Sequence, residues 1–280
     1  MIRSNERVFK ALARDGIAAR KDGSVFRIRK IGSPHAPEAE VLLPEGFALE
    51  SKAASQLASF AAVRHPSGGE VKAAFATPDF HPGAIVPVGA VAATSADMVI
   101  PQAIGTDIQC GMRLHVCDIS VEQFLSRKEE FVALLKGDLL LGTRDVPMRV
   151  SSMRALFDGG CVSWLDEVQT QPLGRLQMSS MRQLVTELDR VYGMGSYDGS
   201  CKWAPHGAGR LKTRYEMRHK RRANHDLGLT GVECITLKEE RLVQEAPAAY
   251  KPIQPVVDIQ AEVGIASIVA RMRPLLTFKA

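Results

Sequence analysis

The sequence has no apolar run of the roughly 18 to 20 residues that a transmembrane helix needs, no CxxC pair, and few aromatic side chains, 6% of 280 residues. Each absence excludes a class. The first twenty residues, MIRSNERVFKALARDGIAAR, hold no apolar core of about 7 to 15 residues, so no secretory leader and no membrane partner are expected. The five cysteines (Cys110, Cys117, Cys161, Cys201 and Cys234) are odd in number and widely spaced. Such usage fits reduced thiols in a cytoplasmic protein better than a disulfide framework or a structural zinc site. Internal repeats, low-complexity tracts and long polar linkers are also missing, and one domain over residues 1–280 is the simplest expectation. Histidine is scarce: there are seven, and none lies between residues 116 and 205.

What is present is an ordinary globular composition, 45% hydrophobic and 24% charged, with one departure. The formal charge is +5, yet the segment RLKTRYEMRHKRR at 210–222 alone carries +6, from seven basic residues and Glu216. The rest of the chain is therefore close to neutral. An anionic partner is expected to meet the protein at that segment and not over its whole surface.

Apolar spacing predicts helices over 5–14 and 51–64, the second capped by Ser51, and again over 121–136 and 178–192. Residues 71–117 are rich in β-branched side chains and broken repeatedly by Gly and Pro, which reads as short strands and tight loops. The basic segment follows a glycine-rich turn and reads as a helix. VECITL at 232–237 reads as a strand, and a last helix is expected from Asp258 to about Arg271. The mixture indicates an α+β or mixed α/β fold.

Two stretches hold more Gly, Pro, His, Asp and Cys than packing needs. In PDFHPGAIVPVGAV followed by GTDIQCGMRLH, Asp107 and Cys110 lie three apart between glycines, close enough to reach one cation from a single turn. His81 sits in a separate Pro- and Gly-bounded loop. On spacing alone the plainer reading is favoured, a buried Cys, an Asp capping a turn and a His satisfying a carbonyl. In APHGAGR, His206 precedes two glycines that let a bulky group approach, and Arg210 offers a planar fork to phosphate oxygens. Neutral imidazole is a nucleophile able to take up a phosphoryl or nucleotidyl group. A glycine-rich turn before an exposed basic helix explains the same letters, and the motif alone leaves the two readings even.

Taken in order, PDFHPG with VPVGAV, IGTDIQCGMRL, RDVPM, APHGAGR, GVEC, EAPAAYK and a lysine one residue from the C-terminus resemble the RtcB family of RNA ligases, most strongly over 70–150 and 195–280. The resemblance implies an RtcB-like fold. It also implies joining of RNA 3′-phosphate or 2′,3′-cyclic phosphate ends to 5′-hydroxyl ends, in tRNA splicing and RNA repair, with GTP and Mn²⁺. It further implies Asp107 and Cys110 as manganese ligands and His206 as the nucleophile that takes GMP. By the same match Arg210 contacts phosphate, and Tyr250 and Lys279 hold the guanine. Arg218, Lys220, Arg221 and Arg222 are then the expected RNA-binding residues.

The departure from the family pattern lies in the middle. Family members are longer and carry further metal-binding histidines between the Asp-Cys and HGAGR motifs, where this chain has none. The central part of the family's fold is thus expected to be missing. Loss of that segment leaves apolar surface to be covered by a second copy or by a full-length relative. The competing expectations are a catalytically impaired relative that binds RNA through the basic segment, and a metal-dependent phosphoesterase using Asp107, Cys110 and His81.

Overall fold

A computed structural model describes residues 2–104, 114, 116–143, 146–193, 207–220 and 228–279. In chain order the elements are α1 (Ile2–Arg14), β1 (Ile17–Asp22), β2 (Val25–Lys30), β3 (Ala39–Leu42), α2 (Ser51–Ala61), β4 (Val71–His81), β5 (Val88–Thr94), α3 (Val121–Ser126), α4 (Lys128–Leu140), α5 (Val150–Thr170), α6 (Met181–Gly193), α7 (Arg214–Lys220), β6 (Glu233–Thr236), α8 (Glu240–Gln244), α9 (Ile253–Glu262) and β7 (Leu276–Lys279). The class is α+β, as expected, and the large sheet is open. The chain divides into two compact units. One holds residues 1–116, 204–233 and 239–275, and the other 117–203, 234–238 and 276–280.

The first unit is built on a five-stranded sheet in the order β1-β2-β3-β4-β5, antiparallel except for the β3–β4 pair. Its first hairpin follows from the turn letters. Asp22 pairs with Val25 across Gly23-Ser24, and Gly23 takes φ +59°, a left-handed conformation that a two-residue hairpin loop demands. In β2, Phe26 and Ile28 turn inward while Arg27 and Arg29 turn away, the period-two pattern of a half-buried strand. The inward face packs with Leu12 from α1 and Ala53, Ala54, Leu57 and Ala58 from α2. Full burial of a side chain such as Phe26 or Leu57 contributes about 1.5–3 kcal/mol. On the other face Phe75 and Val91 form an exposed cross-strand pair.

The later part of this unit corrects two expectations. The segment 210–222 is not helical from its start. Helix α7 begins at Arg214, after Thr213 and Glu216 close a capping box in which Glu216 Oε2 accepts from the Thr213 amide at 2.7 Å and the Glu216 amide donates to Thr213 Oγ1 at 3.2 Å. The last helix is α9, not 258–271. Pro255 falls in its first turn, where the missing amide costs nothing, and Gly264 at φ +74° follows its end. Asp258 is inside it, accepting from Gln254 Nε2 at 2.7 Å. Similarly, α2 starts at Ser51 with Glu50, not Ser51, at the cap position.

In the second unit, Ser120 and Gln123 form the capping box of α3, and the expected helix 121–136 is two helices, α3 and α4. Helix α5 is interrupted at Gly160, whose φ of +71° and ψ of −162° are non-helical. Leu165, Val168 and Leu176 make a small core that Leu184 and Leu188 of α6 join. The expected strand at 232–237 is β6, which pairs with β7.

Candidate functional site

Three of the sequence motifs meet in the first unit. Strand β4 delivers Asp79, Phe80 and His81, and α2 holds the loop after it: Gln56 Nε2 donates to the Gly83 carbonyl at 2.9 Å, and the Gly83 amide donates back to Gln56 Oε1 at 3.2 Å. The turn 207–210 lies directly on the strand end. A Cβ at Gly209 would stand 2.5 Å from the Asp79 carbonyl oxygen and 3.1 Å from His81 Nδ1, and Gly209 is at φ +72°. Only glycine satisfies both the close approach and the backbone angle there. The third motif closes the arrangement. The Lys251 amide donates to the Gly209 carbonyl at 3.0 Å, and Lys251 Nζ donates to the Phe80 carbonyl at 2.5 Å. Burial pushes the Lys251 ammonium below the usual lysine range, against the opposing pull of Glu50 and Asp79.

His81 Nδ1 lies 2.6 Å from the Asp79 carbonyl oxygen. A carbonyl only accepts, so Nδ1 carries a proton in this contact. Asp79 Oδ1 accepts from the Thr77 hydroxyl at 2.6 Å. Gly89 is glycine for the same reason as Gly209, since a Cβ there would stand 2.6 Å from Asp79 Oδ1.

Arg210 and Tyr250, expected together at a nucleotide, are in contact. Their backbones form an antiparallel bridge, and the guanidinium carbon sits 5.1 Å from the Tyr250 ring centroid. Within the chain Arg210 donates four hydrogen bonds: Nε to the Lys212 carbonyl (3.1 Å), Nη1 to Glu245 Oε2 (3.0 Å) and to the Tyr250 hydroxyl (3.3 Å), and Nη2 to the Gln244 carbonyl (2.6 Å). The Tyr250 hydroxyl donates to the same Glu245 oxygen. Burial, then the bond from the phenol to Glu245, raises the Tyr250 phenol above its ordinary value.

Of the other expected residues, Lys279 lies on β7 in the second unit. Cys234 is in that unit too; burial raises its thiol, and Lys279 opposes the shift. Arg218 pairs with Glu240 at 3.6 Å, and the Gln244 amide, turned with its oxygen toward Arg218, accepts from its Nε at 2.6 Å and Nη2 at 2.9 Å. Asp107, Cys110, His206, Arg221, Arg222 and the side chain of Lys220 lie outside the described residues. Among the described residues no group of three or more His, Cys, Asp and Glu could hold a metal ion.

The family model for the tRNA-splicing ligase RtcB matches residues 56–183 and 191–280. The chain belongs to the RtcB family. The match runs through both units and includes every motif that meets at the β4 end. Among relatives, the tRNA-splicing ligase RtcB of Aeropyrum pernix is 35% identical over 94 residues, 30% of this chain and 20% of that one. That of Thermococcus kodakarensis is 36% identical over 83 residues, 29% and 16% of the two chains. That of Archaeoglobus fulgidus is 38% identical over 73 residues, 25% and 15%. The chain thus spans at most about a fifth of the length of these curated relatives. No solved structure matches it.

Glu245 and Lys251 carry no role in the sequence reading, although both belong to EAPAAYK. The signal was available: two opposite charges flank Ala and Pro letters in one short motif, and charges set among apolar residues are buried only when paired.

Proposed function

We propose that this chain is an RNA ligase of the RtcB type, joining RNA 3′-phosphate or 2′,3′-cyclic phosphate ends to 5′-hydroxyl ends, with GTP and Mn²⁺ as cofactors and the cytoplasm as its setting. The observation that carries the reading is the meeting of the strand end 79–81, the turn 207–210 and the segment 245–251. Motifs more than 120 residues apart in sequence converge on one glycine approach, Gly209 against Asp79. A turn pinned this tightly fixes the backbone immediately after His206. A nucleophile gains most from such fixing, because orientation converts a two-body encounter into a near-unimolecular one.

In this reading His206 attacks the α-phosphate of GTP, a nitrogen–phosphorus bond forms, and pyrophosphate leaves. GMP passes to the RNA 3′-phosphate, and the incoming 5′-hydroxyl then displaces it. Arg210 retains one N–H beyond the four bonds it makes within the chain, enough for one phosphate oxygen. Tyr250 offers a ring face for the base. Asp107 and Cys110 would hold the divalent cation, whose contribution is to stabilise charge developing on phosphate oxygens. Both lie outside the described residues, and no step is assigned to the cation.

The test is intact-mass measurement after incubation with GTP and Mn²⁺. A GMP adduct on the wild-type chain, absent from His206→Ala, is expected. An unmodified wild-type chain that still binds RNA would move the assignment to an impaired, RNA-binding relative.

A further inference from the structure

The nucleotide-site reading names Arg210 and Tyr250, and both are held by a third residue that it leaves without a role. Glu245 follows α8, with a side chain only 7% exposed. Its Oε2 accepts from Arg210 Nη1 at 3.0 Å and from the Tyr250 hydroxyl, and its Oε1 accepts from Arg214 Nε at 3.0 Å. Arg241 Nη1 stands 3.7 Å away. Among the described residues three guanidinium groups therefore share one carboxylate, and these four side chains together carry a net positive charge of two.

This arrangement does two things. A nearly dry carboxylate fixes the Arg210 fork and the Tyr250 hydroxyl on one oxygen, so the guanidinium lies over the ring in a single orientation. It also neutralises only one of the three arginines, so the field it leaves attracts an anion. A carboxylate placed merely to balance charge would be expected to meet one cation, not three cations and a phenol.

We propose that Glu245 is a positioning residue, which holds Arg210 and Tyr250 in the geometry that receives a guanine nucleotide. The inference rests on the nucleotide-site reading. It acts through the two residues and not on the nucleotide itself, so its loss weakens GTP capture more than the chemical step.

The experiment compares wild type with Glu245→Gln and Glu245→Asp on the full chain. One readout is the GTP dependence of adduct formation, and the other is the ultraviolet absorbance titration of Tyr250, isolated by subtraction of Tyr250→Phe. For Glu245→Gln the half-saturating GTP concentration is expected to rise about 10- to 100-fold, the usual range for loss of an orienting partner, while the rate at saturation falls less. Glu245→Asp keeps the charge but is one methylene shorter, and an intermediate rise is expected. The titration has a definite sign. Glu245 favours the protonated phenol and Arg210 the phenolate, so removing the carboxylate lets Tyr250 ionise at a lower pH than in wild type.

Unchanged half-saturation in both variants, with wild type forming the adduct, overturns the inference and leaves the ligase reading standing. An unshifted Tyr250 titration in Glu245→Gln overturns it as well. A wild-type chain that forms no adduct at all defeats the ligase reading, and the inference falls with it. Should Glu245→Gln fail to fold, Glu245→Asp carries both readouts.

Discussion

The two units differ in how their apolar side chains are used. In the first, nineteen buried side chains form one cluster between the sheet and the helices α1 and α2. In the second, among the described residues, the corresponding cluster has three, while Phe131, Leu134, Leu139, Leu141, Phe157 and Met178 remain exposed. A sheet closed on one face by helices can support a rigid site, and the three motifs are placed at the end of β4, which contributes Val71, Ala74, Ala76 and Phe80 to that cluster. Helices with so little mutual burial depend more on local terms such as the Ser120–Gln123 capping box and on whatever meets their apolar sides.

The sharpest way to break this comparison is to truncate each core. Phe26→Ala removes a side chain that is 1% exposed and is expected to cost about 3–5 kcal/mol, whereas Leu165→Ala in the smaller cluster is expected at the low end for leucine, about 2 kcal/mol. Urea midpoints of the two variants would measure the difference. Equal losses would mean that the second unit is as tightly packed as the first.

The next effect is local to the site. Gly209→Ala places a Cβ 2.5 Å from a backbone oxygen and forces alanine into φ +72°, a strain on the order of 1–3 kcal/mol before the clash is counted. Gly207 has open space around its Cβ position and no positive φ, so Gly207→Ala is expected to stay within about 0.5 kcal/mol. Adduct formation and thermal midpoint measured on both variants decide the matter. Equal behaviour would sink the claim that the 207–210 turn is pinned by contact with Asp79.

How legible each part was in the sequence follows the same division. The motifs around Asp79, Gly209 and Tyr250 were readable because glycines, prolines and polar residues crowd together wherever backbone must approach backbone. The helices α1, α2 and α6 were readable because one face of each is apolar at helical spacing. The strands β1 to β3 are harder to read, although Phe26 and Ile28 alternate with arginines and Gly23 marks the hairpin. Their charged outer face hides the period from a reading that looks for apolar runs. Asp258 reads as a cap because apolar spacing continues to 272, and only the chain's geometry reveals that Gly264 ends the helix first. For Glu245 the motif shows that its charge is paired but not by what, because Arg210, Arg214 and Arg241 all lie outside EAPAAYK.

The smallest expected effect bears on the other half of the comparison. Phe157 is 80% exposed and Met178 is 92% exposed, so neither contributes appreciable burial within the chain. Phe157→Ser and Met178→Ser are expected to change unfolding free energy by no more than about 0.5 kcal/mol. The same substitutions remove apolar surface, so binding of the dye ANS and self-association measured by light scattering should both fall. A loss of stability well above that range would show instead that these side chains are packed. The second unit would then be held by its own core in the way the first is.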